Sequence, residues 1–463
     1  MALHSTVLRR ILASPTVQRL FAAAFWSGVG ELLSRGLMLL SMVIVARVLG
    51  REGYGELGMI RTTINMFATL GGVGLGLTAN TFVARFRDTD KKRSGQIVGS
   101  SIALAVAFGF VVAVVVFAAS GTLARDVLAA PQLTVGLKLA AVLLLFAAVN
   151  GAQLGVLQGL EAYRRIAVAS SVQGLVGLVA FVLGAYRFGL DGVLVGFLVH
   201  SVAGLVLFQL QMRAELSRQG IVPTLADFRA VLPIFWSFSI PAALMGIAVS
   251  PFKWASETAL SRNSGFDDLG VFHASMTFAT IFVALVSILN SPLISLVANT
   301  ADSSRSSRVQ YLNLYGSWYV FLVLALPFIA LPALPAALFG ADYSGADFRA
   351  VVLLLLLYSG FLMYYQGVMR FVTLRGSMWF GLVTNLCEGL TLIVVFYLAR
   401  SYGAVGLAFA YICSYVMRTA VTTPFLISKG IVPRALLTDK YFIATFASVC
   451  AIVAFQILRE PVF

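Results

Sequence analysis

Two long apolar segments at the start of this chain carry arginine inside them, and that constrains the fold more than any other feature. Residues 23–49 and 57–83 are each long enough to cross ~30 Å of hydrocarbon at about 1.5 Å per helical residue. Between them lies the hydrophilic turn Gly50-Arg51-Glu52-Gly53-Tyr54-Gly55-Glu56. Arg35 falls near the middle of the first segment, and Arg47 and Arg61 stand just inside the ends that meet at the turn. A charge near the bilayer centre costs at least ~2.5 kcal/mol, so these residues are expected to face a protein interior or a wet cavity. Three arginines in two spans predict a cavity that receives an anion.

The rest of the chain is of the same kind. With 60% hydrophobic and 11% charged residues and a mean hydropathy of +0.93, it is excluded from the water-soluble globules. Further spans are expected at 96–119, 137–160, 167–186, 191–212, 231–256, 270–297, 311–338, 348–371, 378–399 and 404–427, with a thirteenth near 441–458. The short loops leave no soluble domain for separate chemistry. The fold class is an all-α polytopic membrane protein.

Basic residues set the orientation. With the N-terminus in the cytoplasm, 21 of the 33 lysines and arginines fall on the inner side, among them Arg87, Arg164, Arg165, Arg218, Arg370 and Arg418. Eight fall outside, and Arg35, Arg47, Arg61 and Lys253 lie within spans. The net charge of +14 is therefore topogenic, and no nucleic-acid partner is needed to explain it. Cys387, Cys413 and Cys450 all fall inside spans, where a thiol acts as a small apolar filler. No cleavable signal is expected; Val7–Phe21 reads as an amphipathic helix lying in the plane of the inner leaflet.

The two halves resemble each other. Phe25-Trp26-Ser27 is answered by Phe235-Trp236-Ser237, Glu56-Leu57-Gly58 by Asp268-Leu269-Gly270, and Phe67-Ala68-Thr69 by Phe278-Ala279-Thr280. The offsets are 210, 212 and 211 residues. A repeat of six spans preserves membrane orientation, so the halves should be related by a pseudo-two-fold axis along the membrane normal. The expected domains are an amphipathic cytoplasmic segment (1–22), an N-terminal six-helix bundle (23–212), a cytoplasmic linker (213–230), a C-terminal six-helix bundle (231–427), and a thirteenth helix with a tail (428–463). Leu70-Gly71-Gly72-Val73-Gly74-Leu75-Gly76 lies within a span, so its glycines are read as helix-packing residues and not as a phosphate loop.

The stretch Ala46-Arg47-Val48-Leu49-Gly50-Arg51-Glu52-Gly53-Tyr54-Gly55, with Gly74-Leu75-Gly76-Leu77-Thr78-Ala79-Asn80 after it, resembles the signature of bacterial polysaccharide exporters. These are the O-antigen and exopolysaccharide flippases of the multidrug/oligosaccharidyl-lipid/polysaccharide (MOP) superfamily, whose members commonly have twelve or fourteen helices. The resemblance implies a flippase in the bacterial cytoplasmic (inner) membrane. Its substrate would be a polyprenyl-pyrophosphate-linked oligosaccharide, moved across by alternating access, with membrane lipids around it and a polysaccharide polymerase and glycosyltransferases as pathway partners.

The candidate site residues follow from charge inside spans. Glu31 lies one helical turn from Arg35 and can pair with it, and the guanidinium can equally grip a diphosphate through a bidentate fork. Arg61 either snorkels to the interface or faces the cleft, and the repeat offset makes His273 its counterpart. Arg47 is read chiefly as a holder of the outer loop through Glu52 or Glu56, with substrate contact as the alternative. Lys253 and Glu257 repeat the i, i+4 pairing near the outer end of the seventh span, where Lys253 is either a structural partner or a contact for the anionic headgroup. Glu388, with Asn385 one turn before it, reads as an isolated buried carboxylate, the candidate for coupling to H+ or Na+. Asn150, Gln153, Asn290 and Gln366 are polar cavity candidates.

Nothing supports catalysis: there is no nucleotide loop, no H-E-x-x-H and no cluster of loop carboxylates. His4, His200 and His273 are far apart, so neither a metal site nor another cofactor is expected. The competing functions are a cation-coupled multidrug exporter of the same superfamily, disfavoured by the excess of buried cations, and a polysaccharide polymerase or ligase, disfavoured by the short outer loops.

Overall fold

The computed structural model describes residues 15–71, 73–239, 247–287, 293, 306–374, 378–429 and 439–459. Among these there is no strand. In chain order the helices are α1 (Pro15–Gly71), α2 (Val73–Phe86), α3 (Lys91–Thr122), α4 (Thr134–Gly159), α5 (Tyr163–Gln219), α6 (Phe228–Ile234) and α7 (Ser250–Ser287). They continue as α8 (Ser306–Ala330), α9 (Ala333–Phe339), α10 (Ala346–Leu374), α11 (Met378–Leu398), α12 (Gly403–Ser428) and α13 (Lys440–Arg459). Ten of the helical segments are long and apolar enough to cross a membrane. Three of those ten hold two spans each, joined at a glycine of positive φ: α1 at Gly50, α5 at Gly189 and α7 at Gly265. The architecture is twelve spans in two six-helix halves plus an extra C-terminal span.

The duplication is visible in the backbone. Gly50 at φ 68° and Gly265 at φ 88° turn the chain between the first two spans of each half, and Gly189 at φ 59° and Gly403 at φ 53° turn it between the last two. Only a residue without Cβ adopts this conformation at no steric cost. These four turns lie on one side of the molecule, called the motif face below because the Ala46–Gly55 stretch lies there.

Lipid tails give apolar helices no reason to associate, so close packing holds a membrane bundle together. On the motif face the second span of α1 crosses the second span of α7 at glycines. A Cβ on Gly55 would run into the carbonyl of Phe266, and one on Gly270 into the carbonyl of Arg51. Within the first half, Gly76 of α2 and Gly155 of α4 meet in the same way, and a Cβ on Gly74 would strike Ser239. The extra span α13 is seated by aromatic rings instead. Phe442 and Phe446 lie 5.6 and 5.5 Å from Trp318, whose indole N–H points to Thr445 Oγ1 at 3.4 Å.

The N-terminal segment differs from the sequence reading. From Pro15 the helix runs continuously into the first span, so the in-plane segment expected for Val7–Phe21 does not extend past Pro15; residues 1–14 lie outside the described residues. The seventh span begins against the first half: Val231 and Phe235 are buried in the cluster of Leu75, Ala79 and Ile97, and Thr224 N–H donates to Gly95 O at 3.1 Å.

The Gly55/Gly270 crossing gives a direct test. Gly270→Val should cost about 1–3 kcal/mol through overpacking and lower the detergent melting temperature. Gly316→Ala, where a Cβ meets nothing within 4 Å, should leave it unchanged. Equal melting curves for the two variants would remove the close crossing.

Candidate functional site

A cavity of about 360 Å³ opens between the halves, walled by the first span of α1 and the second span of α7. Arg35, Met38, Met42 and Arg61 line it from the first half, and Thr277, Thr280 and Ile281 from the second. Arg35 is exposed toward this space. The side chain of Glu31, its expected partner, lies outside the described residues, as does Asn290.

Arg61 is held from behind. Its Nη1 lies 3.6 Å from Met42 Sδ and its guanidinium 5.8 Å from the Phe197 ring centroid, a cation–π arrangement. No carboxylate stands within 4.0 Å of it among the described residues. Sulfur, an aromatic face and the nearby Tyr54 hydroxyl carry no full negative charge, so this arginine keeps its charge at the cavity wall.

His273 does not share that wall. It packs against Gly58 at the seam between the halves, with Nε2 3.3 Å from Glu257 Oε2. Glu257 is buried and collects donors from two further directions of the fold. Thr62 Oγ1 donates to Oε2 at 2.5 Å and Tyr411 OH to Oε1 at 3.2 Å. One residue on, Trp254 Nε1 donates to Thr63 Oγ1 at 3.0 Å. The i, i+4 pair of Lys253 with Glu257 therefore does not form, because the tertiary partners of Glu257 satisfy it.

Lys253 turns instead to Glu388, with Nζ 3.7 Å from Oε1. The other oxygen of Glu388 takes the Nη1 donor of Arg418, a residue counted from sequence among the cytoplasmic basics. Arg418 is buried near the middle of α12, its guanidinium 4.2 Å from the Tyr365 ring. Glu388 is thus not an isolated carboxylate; two built-in cations flank it, and the cluster keeps one cation in excess. Asn385 lies half-buried one turn before it. Arg370, also counted as cytoplasmic, is buried on α10 with Nη2 3.1 Å from Ser317 Oγ.

The remaining candidates are structural ties or stand apart. Asn150 Nδ2 donates to Ser201 O at 3.1 Å and Gln153 Nε2 to Gln209 Oε1 at 2.8 Å, binding α4 to the second span of α5. Gln366 is half-buried on α10. Arg47 does not turn to Glu52 or Glu56: its Nε and Nη2 donate to Leu338 O at 2.7 Å and Ala337 O at 2.8 Å, the last carbonyls of α9. Arg51, which the sequence reading left in the loop, reaches Asp347 Oδ2 at 2.7 Å and also donates to the carbonyl of Asp342. Tyr343 OH returns to Gly50 O at 3.3 Å. The motif stretch therefore clamps one half to the other on its own face of the molecule.

A duplicated, multi-pass helical membrane protein with a cationic cavity between its halves and a closed seam on one face is a transporter in its architecture. Comparison with known proteins agrees. The sequence model of a family described as polysaccharide biosynthesis protein matches residues 20–297, and the chain belongs to that family. The lipid III flippase of Escherichia coli (strain K12) is 21% identical over 423 residues, covering 85% of this chain and 95% of the relative, and that of Shigella flexneri is equally similar. Among solved structures, an inward-facing multidrug resistance MATE transporter of the MOP superfamily superposes with a TM-score of 0.68 at 16% identity, over 88% of this chain and 96% of that one. A MOP superfamily transporter from Pyrococcus furiosus, described as having a binding pocket of reversed polarity, reaches 0.62 at 16% identity, covering 90% of this chain and 96% of its own.

The Glu388 cluster yields a test of its role. Removing one member of a buried ion pair costs ~3–5 kcal/mol because a charge is left uncompensated. Glu388→Gln should therefore lower the melting temperature strongly, and Glu388→Gln/Arg418→Gln should recover most of the loss. If the single variant melts like the parent, the cluster is not a structural pair.

Proposed function

We propose that this protein is a flippase that carries a polyprenyl-pyrophosphate-linked oligosaccharide from the inner to the outer leaflet of the bacterial cytoplasmic membrane, by alternating access and for polysaccharide biosynthesis and export. The observation that carries the reading is Arg61: a guanidinium on the wall of the cavity between the halves, backed by sulfur and an aromatic ring, with no carboxylate against it among the described residues. Arg35 lines the same cavity. Charge-assisted hydrogen bonds from a guanidinium fork suit a diphosphate, whose hydration shell must be replaced as it enters.

The sequence relation to lipid III flippases supports a lipid-linked substrate. The charge rule puts the N-terminus in the cytoplasm, so the clamped motif face is the outer one and the chain stands with its outer side shut. Coupling to H+ or Na+ belongs to the proposal, as does supply of the substrate by glycosyltransferases and its use by a polymerase. A multidrug exporter would want carboxylates facing the cavity, and the wall described here offers guanidinium groups instead.

Two charge-assisted bonds at ~1.5–3 kcal/mol each set the expected scale. In proteoliposomes loaded with a polyprenyl-diphosphate oligosaccharide, Arg61→Ala should slow transfer at least about tenfold, and Arg61→Lys should fall between it and the parent. Arg35→Ala is compared with Glu31→Gln/Arg35→Ala, so that an unpaired Glu31 is not mistaken for lost substrate contact. Parental transfer by Arg61→Ala and by the double variant, with unchanged melting, would refute the reading.

A further inference from the structure

On the face opposite the motif, where α5 both begins and ends, lies a second polar recess of about 420 Å³. Its floor is Glu215, whose side chain is 2% exposed and takes Arg165 Nε at 2.7 Å and Arg218 Nη2 at 2.5 Å. The buried carboxylate thereby fixes two guanidinium groups at the mouth. Glu161, on the rim, is engaged by Arg87 at 2.7 Å. Arg164 completes the recess and has no carboxylate within 4.0 Å among the described residues; it lies over the Trp26 ring at 5.4 Å. Three arginines, two acids that are already engaged, and one guanidinium with open donors make a site for an anion.

What lies below the recess identifies the anion's carrier. Val168, Val172 and Leu175 continue from Arg164 and Arg165 down one face of the first span of α5, and Leu210, Val206 and Val202 down the second, all exposed. Spacings of three or four residues put each set on a single helix face, so the two spans offer a continuous apolar surface that ends at the basic recess. Trp26, the ring beneath Arg164, is the residue type that settles at the headgroup level of a bilayer. Charge above and hydrocarbon below, with an aromatic ring at the boundary, match a two-chain amphiphile with a negative headgroup.

We propose that this recess is a specific site for an anionic phospholipid of the surrounding leaflet, its phosphate between Arg164, Arg165 and Arg218 and its acyl chains along the Val168 and Leu210 faces of α5. The site is separate from the central cavity and does not depend on which molecule is transported. A bound lipid would tie the start and end of α5 to Trp26 of the first span and so stabilise the first half.

The test uses the full chain, delipidated and supplied with phosphatidylglycerol, phosphatidylcholine or inorganic phosphate, with bound lipid counted by native mass spectrometry and stability read by melting. Phosphatidylglycerol should be retained and should raise the melting temperature above the phosphatidylcholine value; inorganic phosphate should do neither. Each arginine near an anionic headgroup is worth about a five-fold change in binding. Arg164→Gln should therefore weaken retention about five-fold and Arg164→Gln/Arg218→Gln about twenty-five-fold. Lys92→Gln, an exposed basic residue of the same face outside the recess, should change nothing. Equal retention by the parent and the double variant would overturn the site. So would phosphatidylcholine matching phosphatidylglycerol, or inorganic phosphate reproducing the shift. Because Arg164 makes no ion pair among the described residues, its variant should melt as the parent does in phosphatidylcholine, which separates lost lipid from lost fold.

Discussion

A guanidinium within hydrocarbon must find a counter-charge, a polar wall or water, and that requirement organises this molecule. Among the described residues, Arg418, Lys253 and Arg370 of the second half are met by protein: Arg418 and Lys253 by Glu388, and Arg370 by Ser317. The first half treats Arg61 differently, backing it with Met42 and Phe197, which contribute contact but no negative charge. Among the described residues the charge of Arg61 is not neutralised by protein, and under the proposed function the transported anion would meet it. The asymmetry arises within a duplicated fold, so it reflects the side chains that each half has acquired and not the architecture they share.

The shared architecture rests on glycine at two levels. Positive-φ glycines reverse the chain between spans at Gly50, Gly189, Gly265 and Gly403, and those without such torsions let backbones approach where Gly55 meets Phe266 and Gly270 meets Arg51. Both uses depend on the missing Cβ, and in a bilayer close approach substitutes for the hydrophobic driving force that packs soluble helices. The second half then adds Glu257, which gathers Thr62, His273 and Tyr411 at the seam. A buried cluster of this kind favours one alignment of the halves, since any slip takes the Thr62 and Tyr411 donors away from the Glu257 carboxylate.

Hydropathy made the spans legible because every helix here must bury its own backbone hydrogen bonds and cover its length with apolar side chains. The repeat was legible because its register survives in short matched triplets. Side-chain partners were not. Glu388 read as isolated because nothing near it in sequence is basic, while its partners come from α7 and α12. Arg418 read as topogenic because a basic residue about ten positions from a helix end looks the same in sequence whether it reaches a headgroup or turns inward. Lys253 and Glu257 had the right spacing to pair, yet both found tertiary partners, which a spacing rule cannot weigh. Asn150 and Gln153 were polar within a span for a mundane reason: they hold α4 to α5.

The clamp formed by the motif is of a different strength from the interior network, and the difference bears on how such a protein changes state. Arg47 and Arg51 are at or near the surface, and their partners are backbone carbonyls and the part-exposed Asp347. Exposed ion pairs contribute ~0–1 kcal/mol each and ordinary hydrogen bonds ~0.5–1.5 kcal/mol net, because water replaces them when they break. A handful of such contacts holds a face shut by only a few kcal/mol, a scale that differential binding of a ligand can overcome. Glu257 cannot separate from His273 and Tyr411 so cheaply unless water enters with the opening. The proposed cycle therefore requires that the seam wet as it opens, so that hydration replaces the donors Glu257 loses. The thin layer of polar residues around it, Thr62, Thr63 and His273, is the lining that would accept that water.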